Sequence, residues 1–596
     1  MRSDGRFDTD VLIVGGGPAG GAAALALATY GVRTMVVSKY GWVADSPRAH
    51  ITNQRTMEVL RDLGVEDEAL SVGTPQQLMG ESVFCTSLAG EEIARIRTWG
   101  TEDERLTEYA AASPCPMLDL PQPYLEPVLI GNAARRGAKV RFDTEFLSLE
   151  QDSDGVTALL RDRLRGDEFT LRARYLIGAD GGRSRVAEQI GLPFVGEEGK
   201  GGSMNIAFEA DLTRYVQHRP GVLYWVVRPG EGIGGIGMGA LRMVRPWNKW
   251  MAVWGYDING PAPVLDHAEA RHIVTGLLGD RDIDVRIEST SLWTVNDMYA
   301  TSYSVGRVFC AGDAVHRHPP SNGLGSNTSI QDSYNLAWKL ALVLRGQAGP
   351  ALLETYGAER APVGEQVVTR ANRSTGEFVP LFEALGLGDG LASGDAAAGV
   401  RRGRLPTAEG ARRRRELADA MQLKHYEFSA HGVEMNQRYV SSAVVPDASP
   451  DASPDASPDE EWCRDRDLYA QPSTRPGAKL PHAWLIDTAG HRVSTLDLVG
   501  GGGFTMVTGF AGQAWAEAAQ VCAAEFGIAL RVVRIDEDGA RDVYGSWQRV
   551  TDGLDERGCL LVRPDCVVAW RHSAPVDDPA QAIAALREAL TTVLHR

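Results

Sequence analysis

The 596-residue chain lacks three things that would have pointed it elsewhere: a long apolar run, a Cys-x-x-Cys pair and any excess of basic residues. Without a stretch near the roughly 20 apolar residues that a membrane span needs, no transmembrane helix is expected. The formal charge of -17 offers no broad basic field to a polyanion, so nucleic acid and anionic membrane are excluded as expected partners and a small-molecule substrate fits better. The cysteines (Cys85, Cys115, Cys310, Cys463, Cys522, Cys559 and Cys566) are seven in number and scattered, which argues against a disulfide frame and a zinc site and for reduced thiols in a cytoplasm. The opening MRSDGRFDTD carries acids and no apolar h-region, so no secretory signal is expected either.

What is present is globular. At 43% hydrophobic residues the chain can bury several cores, about three or four domains at roughly 150 residues each. Residues 8–38 read as strand, glycine turn, Ala/Leu helix and strand, with Gly15-x-Gly17-x-x-Gly20 between the first strand and the helix. In that context Gly15 permits the tight turn, Gly17 lets backbone approach a pyrophosphate, and Gly20 lets helix and strand pack closely. The helix N-terminus offers free N–H groups to phosphate. A bound dinucleotide is therefore expected. Where an acidic residue usually meets the ribose stands Ser38, which can make one hydrogen bond. A second match, Gly232-x-Gly234-x-x-Gly237, is followed by MGALRMVRPW and no helix, so it is read as a glycine-rich strand or bend. One nucleotide fold is expected, and any nicotinamide must visit without a Rossmann domain of its own.

Farther along, short alternating strands close on a glycine turn at Gly181. The Trp-, Tyr- and Val-rich segment 201–257 suggests a mostly antiparallel sheet in a separate lobe. Helical spacing is predicted over 328–345, with further helices to about Arg438. Three DASP repeats then mark a linker too polar to order, and beyond about Gly477 a β/α pattern ending in a hairpin and helix suggests a thioredoxin-like domain with a core of its own. That domain lacks the redox Cys pair, so packing or oligomer contact is its expected role.

Three ordered segments, VGGGPAG (14–20), YLIGADGGRSRV (175–186) and GRVFCAGDAVHRHPPSNGLGSN (306–327), carry a resemblance to the class A flavoprotein monooxygenases. This is the group of 4-hydroxybenzoate and phenol hydroxylases, and the chain most resembles its 2,4-dichlorophenol 6-monooxygenase type. The resemblance implies an α/β and α+β architecture. An FAD domain (1–73, 119–189 and 301–372) would be interleaved with an antiparallel-sheet substrate domain (74–118 and 190–300), followed by a helical segment (373–445), a linker (446–476) and the thioredoxin-like domain (477–596). FAD would be held by Gly15, Gly17, Gly20 and Ser38, by Arg48 and Gln122, by Asp180 near the pyrophosphate, and by Asp313 on a ribityl hydroxyl. Pro320, Gly323, Gly325, Ser326 and Asn327 would line the isoalloxazine ring. The second motif of the family usually closes on an arginine where this chain has Ala187, which puts the nicotinamide contacts there in doubt.

The implied reaction uses NADH or NADPH, O2 and a phenolic or hydroxypyridine ring, with oxygen delivered from a flavin C4a-hydroperoxide, in aromatic degradation or antibiotic tailoring. A homo-oligomer is expected. In the phenol hydroxylase branch a catalytic aspartate stands five residues before the Arg-Thr-Met-Glu run; here that run is 55–58 and the position is His50. A histidine keeps the ability to take a proton near neutral pH. The alternative is a histidine that only bonds backbone or flavin, and Asp297 is the next candidate for the proton. His316-x-His318 lacks further ligands at metal spacing, so no metal is expected. Two rivals stand beside the hydroxylase: a non-hydroxylating flavin oxidoreductase, which would want a redox Cys pair or a halogenase Trp motif that the chain lacks, and a non-catalytic flavin-binding scaffold.

Overall fold

The structure is a computed structural model and describes residues 7–228, 238–387, 396–447, 462–536, 539–551 and 553–596. The second glycine-rich match at Gly232–Gly237 and nearly all of the DASP repeat lie outside the described residues.

The first strand, Thr9–Val14, is buried along its whole length. Such a run needs cover on both faces, as in a parallel sheet. It pairs in parallel with Thr34–Val37 on one side and Glu168–Gly178 on the other, and the sheet continues to Lys139–Arg141 at one edge and through Val308–Cys310 to the antiparallel Ser304–Val305 at the other. The helix Pro18–Thr29 enters with Pro18 in its first turn, where the missing N–H costs nothing. It is apolar all round because Gln122–Arg135 and Gly325–Leu344 pack against it.

A second sheet runs Glu92–Arg97, Glu81–Cys85, Gly221–Val227, Met238–Arg245, Lys249–Tyr256, Phe194–Glu209, Arg286–Ala300 and His316–Arg317. Its neighbours are antiparallel except for the parallel pair formed by Gly221–Val227 and Glu81–Cys85. Its apolar face packs with Phe378, Leu381 and Phe428 from the later helical segment. A three-stranded patch links the two sheets: Leu118–Asp119 pairs with Ile51–Thr52 and with Thr74–Pro75.

The helix predicted over 328–345 begins one turn earlier, at Gly325. The extra turn is closed by side chains, since Asn327 Nδ2 donates to the Gly323 carbonyl at 2.6 Å and Ser329 Oγ to that of Gly325 at 2.8 Å.

In the C-terminal part, Phe504–Thr508 lies parallel to Leu530–Arg534 and antiparallel to Cys559–Val562, which forms a hairpin with Val568–His572. Helices Gln513–Phe526 and Pro579–Leu594 pack together, giving the thioredoxin-like arrangement. Its core is only partly its own. Leu480, Val507, Trp547 and Leu560 cluster separately, whereas Phe504, Met506 and Trp515 join the core of the parallel-sheet domain, with Phe504 edge-on to Trp338 at 6.0 Å. A buried ionic cluster crosses the same boundary. Arg563 grips Glu359 with two bonds of 2.6 and 2.9 Å and Asp565 with two more, and Lys339 Nζ donates to Glu359 and Asn335, each at 2.8 Å.

Candidate active site

Three loops meet at the C-terminal ends of the parallel strands. At the first, Gly15 has φ +108°, and a Cβ there would lie 2.1 Å from the Ala179 carbonyl oxygen; a Cβ on Gly20 would lie 2.0 Å from that of Gly15. Both positions demand glycine. A Cβ on Gly17 would meet nothing nearer than Glu126 Oε1 at 3.8 Å, and the helix that follows has no side-chain cap, so its first N–H groups are left for another acceptor. Ser38, buried at the end of its strand, has its hydroxyl 4.0 Å from the position of a Gly16 Cβ. Gln122 does not point away freely: its Nε2 donates to Glu126 Oε1 at 2.6 Å, and Glu126 also accepts from the Ala44 N–H at 2.6 Å. Burial pushes the Glu126 carboxyl up, against the pull of these bonds and of nearby Arg48, whose side chain is exposed.

The second loop carries Asp180. Its carboxylate accepts from Ser184 Oγ at 2.5 Å and from the N–H groups of Arg185 and Val186, so it closes the start of the helix Arg185–Gln189 while its Cα lies against Gly15. In the third loop Asp313 is exposed, and its carboxylate has no hydrogen-bond or ion-pair partner among the described residues. Pro320 is exposed too. Gly323 has φ +64°, and a Cβ there would press on Ile51 at 2.9 Å. Asn327 bolts this loop to its neighbour, accepting from Asn53 N–H at 3.0 Å and donating to the Ile51 carbonyl at 2.8 Å. Gly325, next to His318, and the half-buried Ser326 open the helix Gly325–Leu344, which again has no side-chain cap. Behind the loop, Asp332 accepts from the Gly312 N–H at 3.1 Å and from Arg360 Nε at 2.7 Å and meets His316 Nε2 at 2.9 Å, so His316 is committed to holding the turn. His318 is held down to about 4 by burial and by the neighbouring His316.

These features suit FAD: a glycine turn that no Cβ would fit, two helix N-termini with open N–H groups, and a carboxylate positioned to accept hydrogen bonds from a polyol.

Beside the third loop lies His50. The strand pair Ile51–Thr52 and Leu118–Asp119 sets it, with the Leu120 N–H donating to the His50 carbonyl at 2.6 Å. Its Nδ1 is 3.3 Å from Asp119 Oδ1. Arg242, reaching in from the strand Met238–Arg245 of the second sheet, donates to the carbonyls of Pro47 and Arg48. Burial, and next the charge of Arg242, lower the pKa of His50, while Asp119 opposes them. The guanidinium of Arg242 is itself pushed down to about 10 by burial. Asp119 Oδ2 and Arg242 Nε are buried without a partner among the described residues.

Asp297 does not belong to this group. Its backbone pairs with Glu197, and its carboxylate accepts from Asn372 Nδ2 at 2.9 Å and faces Lys200 at 3.7 Å; none of these contacts joins it to His50. The position is set by the register of two long strands and by the helix Thr355–Gly376, which local sequence does not reveal. Asp119 and Arg242, conversely, went unread. The available signal was a charged residue at 242 inside the apolar run Met238–Val244. Of the tryptophans in the second lobe, Trp250 is core, while Trp225 packs with Phe378 at 5.1 Å and Phe84 at 6.3 Å.

Residues 8–371 match the family described as FAD binding domain, and residues 473–596 match the aromatic-ring hydroxylase C-terminal family. The chain is 54% identical to 2,4-dichlorophenol 6-monooxygenase of Cupriavidus pinatubonensis over 98% of its length and 96% of that protein. It is 49% identical to phenol 2-monooxygenase of Pseudomonas sp. (strain EST1001), over 97% and 92% respectively. Among solved structures, the flavin-dependent monooxygenase PieE in complex with FAD and substrate superposes with a TM-score of 0.91 at 43% identity, covering 98% of this chain and 99% of the other.

Proposed function

The chain belongs to the FAD-binding aromatic-ring hydroxylases and is an FAD-dependent aromatic monooxygenase, and on that premise we propose that it hydroxylates a phenol or hydroxypyridine using O2 and NADH or NADPH. Bound FAD supplies the redox chemistry, taking electrons from the nicotinamide and activating O2. The protein's part is to hold the cofactor, position the ring and move one proton. Gly15, Gly17 and Gly20 would take the pyrophosphate with Ser38 near the ribose, Asp313 a ribityl hydroxyl, and the backbone of Gly323 to Asn327 the ring system. Arg48, Gln122, Asp180 and Pro320 would border it.

The observation that carries the proposal is where His50 sits. The next residue, Ile51, touches the flavin-motif loop through Gly323 and Asn327, while the His50 ring lies against buried Asp119. Phenolate is a far better nucleophile than phenol, so a base at this place raises the reactivity of the ring. His50 is kept neutral by burial and by Arg242, as a proton acceptor must be. The names of the relatives support a phenolic substrate, and PieE was solved with FAD and substrate bound. The seven unpaired cysteines suit a reducing cytoplasm, and a homo-oligomer is proposed with the enzyme. Among the described residues no helix is long and apolar enough to cross a membrane.

The test is direct. The purified protein is expected to release FAD on denaturation, and 2,4-dichlorophenol, phenol or a hydroxypyridine should stimulate NAD(P)H consumption with a product heavier by one oxygen. Release of FMN alone, or NAD(P)H consumption indifferent to every such ring with no oxygenated product, would overturn the proposal.

A further inference from the structure

We propose that Asp119 and Arg242 are positioning residues for His50, fixing its ring with Nδ1–H directed to Asp119 and Nε2 left to take the substrate's hydroxyl proton. This rests on the reading of His50 as the proton acceptor. The argument begins with the donor inventory. A carboxylate can only accept, so a contact of 3.3 Å between Asp119 Oδ1 and His50 Nδ1 requires the hydrogen to sit on Nδ1. Nε2 then carries the lone pair, and neutral imidazole has no other basic atom to offer. The proton that leaves the phenol oxygen ends on Nε2, giving phenolate and imidazolium, and Asp119 faces the charge that forms.

The backbone confirms that the contact is built in. Asp119 pairs with Ile51 across the short ladder, so the carboxylate and the imidazole rise from adjacent positions on neighbouring strands. Arg242 clamps the other side: its two terminal nitrogens hold the carbonyls of Pro47 and Arg48, the second and third residues before His50. Asp119 and Arg242 are the charged groups facing His50, one from each sheet system, and they pull its protonation in opposite directions. Burial, and next Arg242, keep the resting imidazole neutral, and the positive charge of Arg242 favours an anion formed nearby. Each of the two keeps one buried polar atom, Oδ2 and Nε, unpaired among the described residues, although both side chains are almost wholly shielded from solvent. Leaving such atoms unsatisfied is costly for a purely structural pair and useful where a polar ligand completes the set.

The experiment uses FAD-loaded enzyme labelled with 15N-histidine, with the His50 signals identified by their loss in His50→Gln. The expected wild-type spectrum at pH 7 is the neutral Nδ1–H tautomer. Asp119→Asn, which can turn its amide N–H toward Nδ1, should shift the ring toward Nε2–H. Arg242→Gln should raise the pH at which the ring ionises. In turnover of 2,4-dichlorophenol, Asp119→Asn should lower kcat on the order of 10²-fold with little change in KM, the low end of general-base effects. In a His50→Ala background it should cost nothing further, because its effect runs through the ring. A wild-type Nε2–H tautomer, a His50 spectrum unmoved by Asp119→Asn, or an undiminished Asp119→Asn effect in the His50→Ala background would overturn the positioning role. The role of His50 itself is decided separately, by the activity of His50→Ala alone.

Discussion

Two buried polar clusters in this protein resemble each other in composition and differ in how fully they are satisfied. At the boundary with the thioredoxin-like domain, Arg563, Glu359, Lys339, Asn335 and Asp565 bond one another, with no unpartnered buried side-chain nitrogen or oxygen of theirs among the described residues, and Ser441 completes Glu359 at 2.7 Å. Beside the third loop, His50 meets Asp119 through one contact of 3.3 Å, Arg242 bonds only the carbonyls of Pro47 and Arg48, and two buried polar atoms stay open among the described residues. The first cluster is closed on itself and has nothing to offer a ligand. The second has spare valence beside a cofactor loop. Satisfied networks fix a structure, and open ones are where chemistry is done.

The comparison breaks most sharply at Arg563. Arg563→Met removes the hub of the closed cluster and leaves Glu359 and Asp565 buried with too little countercharge, so a loss of about 3–5 kcal/mol is expected. Thermal or denaturant unfolding measures it; a variant as stable as the parent would mean the cluster does not join the domains. Asp313→Ala sharpens the other side. Its carboxylate has no hydrogen-bond or ion-pair partner among the described residues, so folding should be little affected, while FAD affinity falls by about 1.5–3 kcal/mol, or roughly one to two decades. Titration of the apoprotein with FAD decides it, and unchanged affinity would show that the third motif has been misassigned.

The smallest effect concerns acid. Burial holds His482, in the C-terminal domain, down to about 4 from the ordinary 6.5. As pH falls through that window the unfolded chain takes up the proton first, so the stability contributed is present above about 6.5 and lost toward 4. His482→Gln should therefore flatten the decline of the melting temperature between those two pH values. An equally steep decline would assign the acid sensitivity to other groups, such as His318 beside the flavin loop.

What could be read from the sequence was whatever local chemistry determines. The helices Gln513–Phe526 and Pro579–Leu594 carry local signals at their ends, since Gly512 and Gly527 bracket one and Pro579 opens the other. Gly15 and Gly20 announced themselves because no other residue fits. Asp119 did not, since 69 residues separate it from His50 and only the short ladder between Ile51 and Asp119 brings them together. Asp297 misled for the same reason: strand register sends its carboxylate to Asn372. The shared core of the C-terminal domain was hidden as well, because an apolar strand such as Phe504–Thr508 does not state which domain covers it.

The central claim is that the open cluster does the proton chemistry, and hydroxylation by His50→Ala tests it most directly. With 2,4-dichlorophenol as substrate and oxygenated product counted by mass, the variant should retain FAD and lose hydroxylation by about 10²-fold to 10⁴-fold at pH 7, with part of the rate returning at high pH where the phenol ionises unaided. Full coupled hydroxylation by His50→Ala at pH 7 would contradict the account and place the proton on another group.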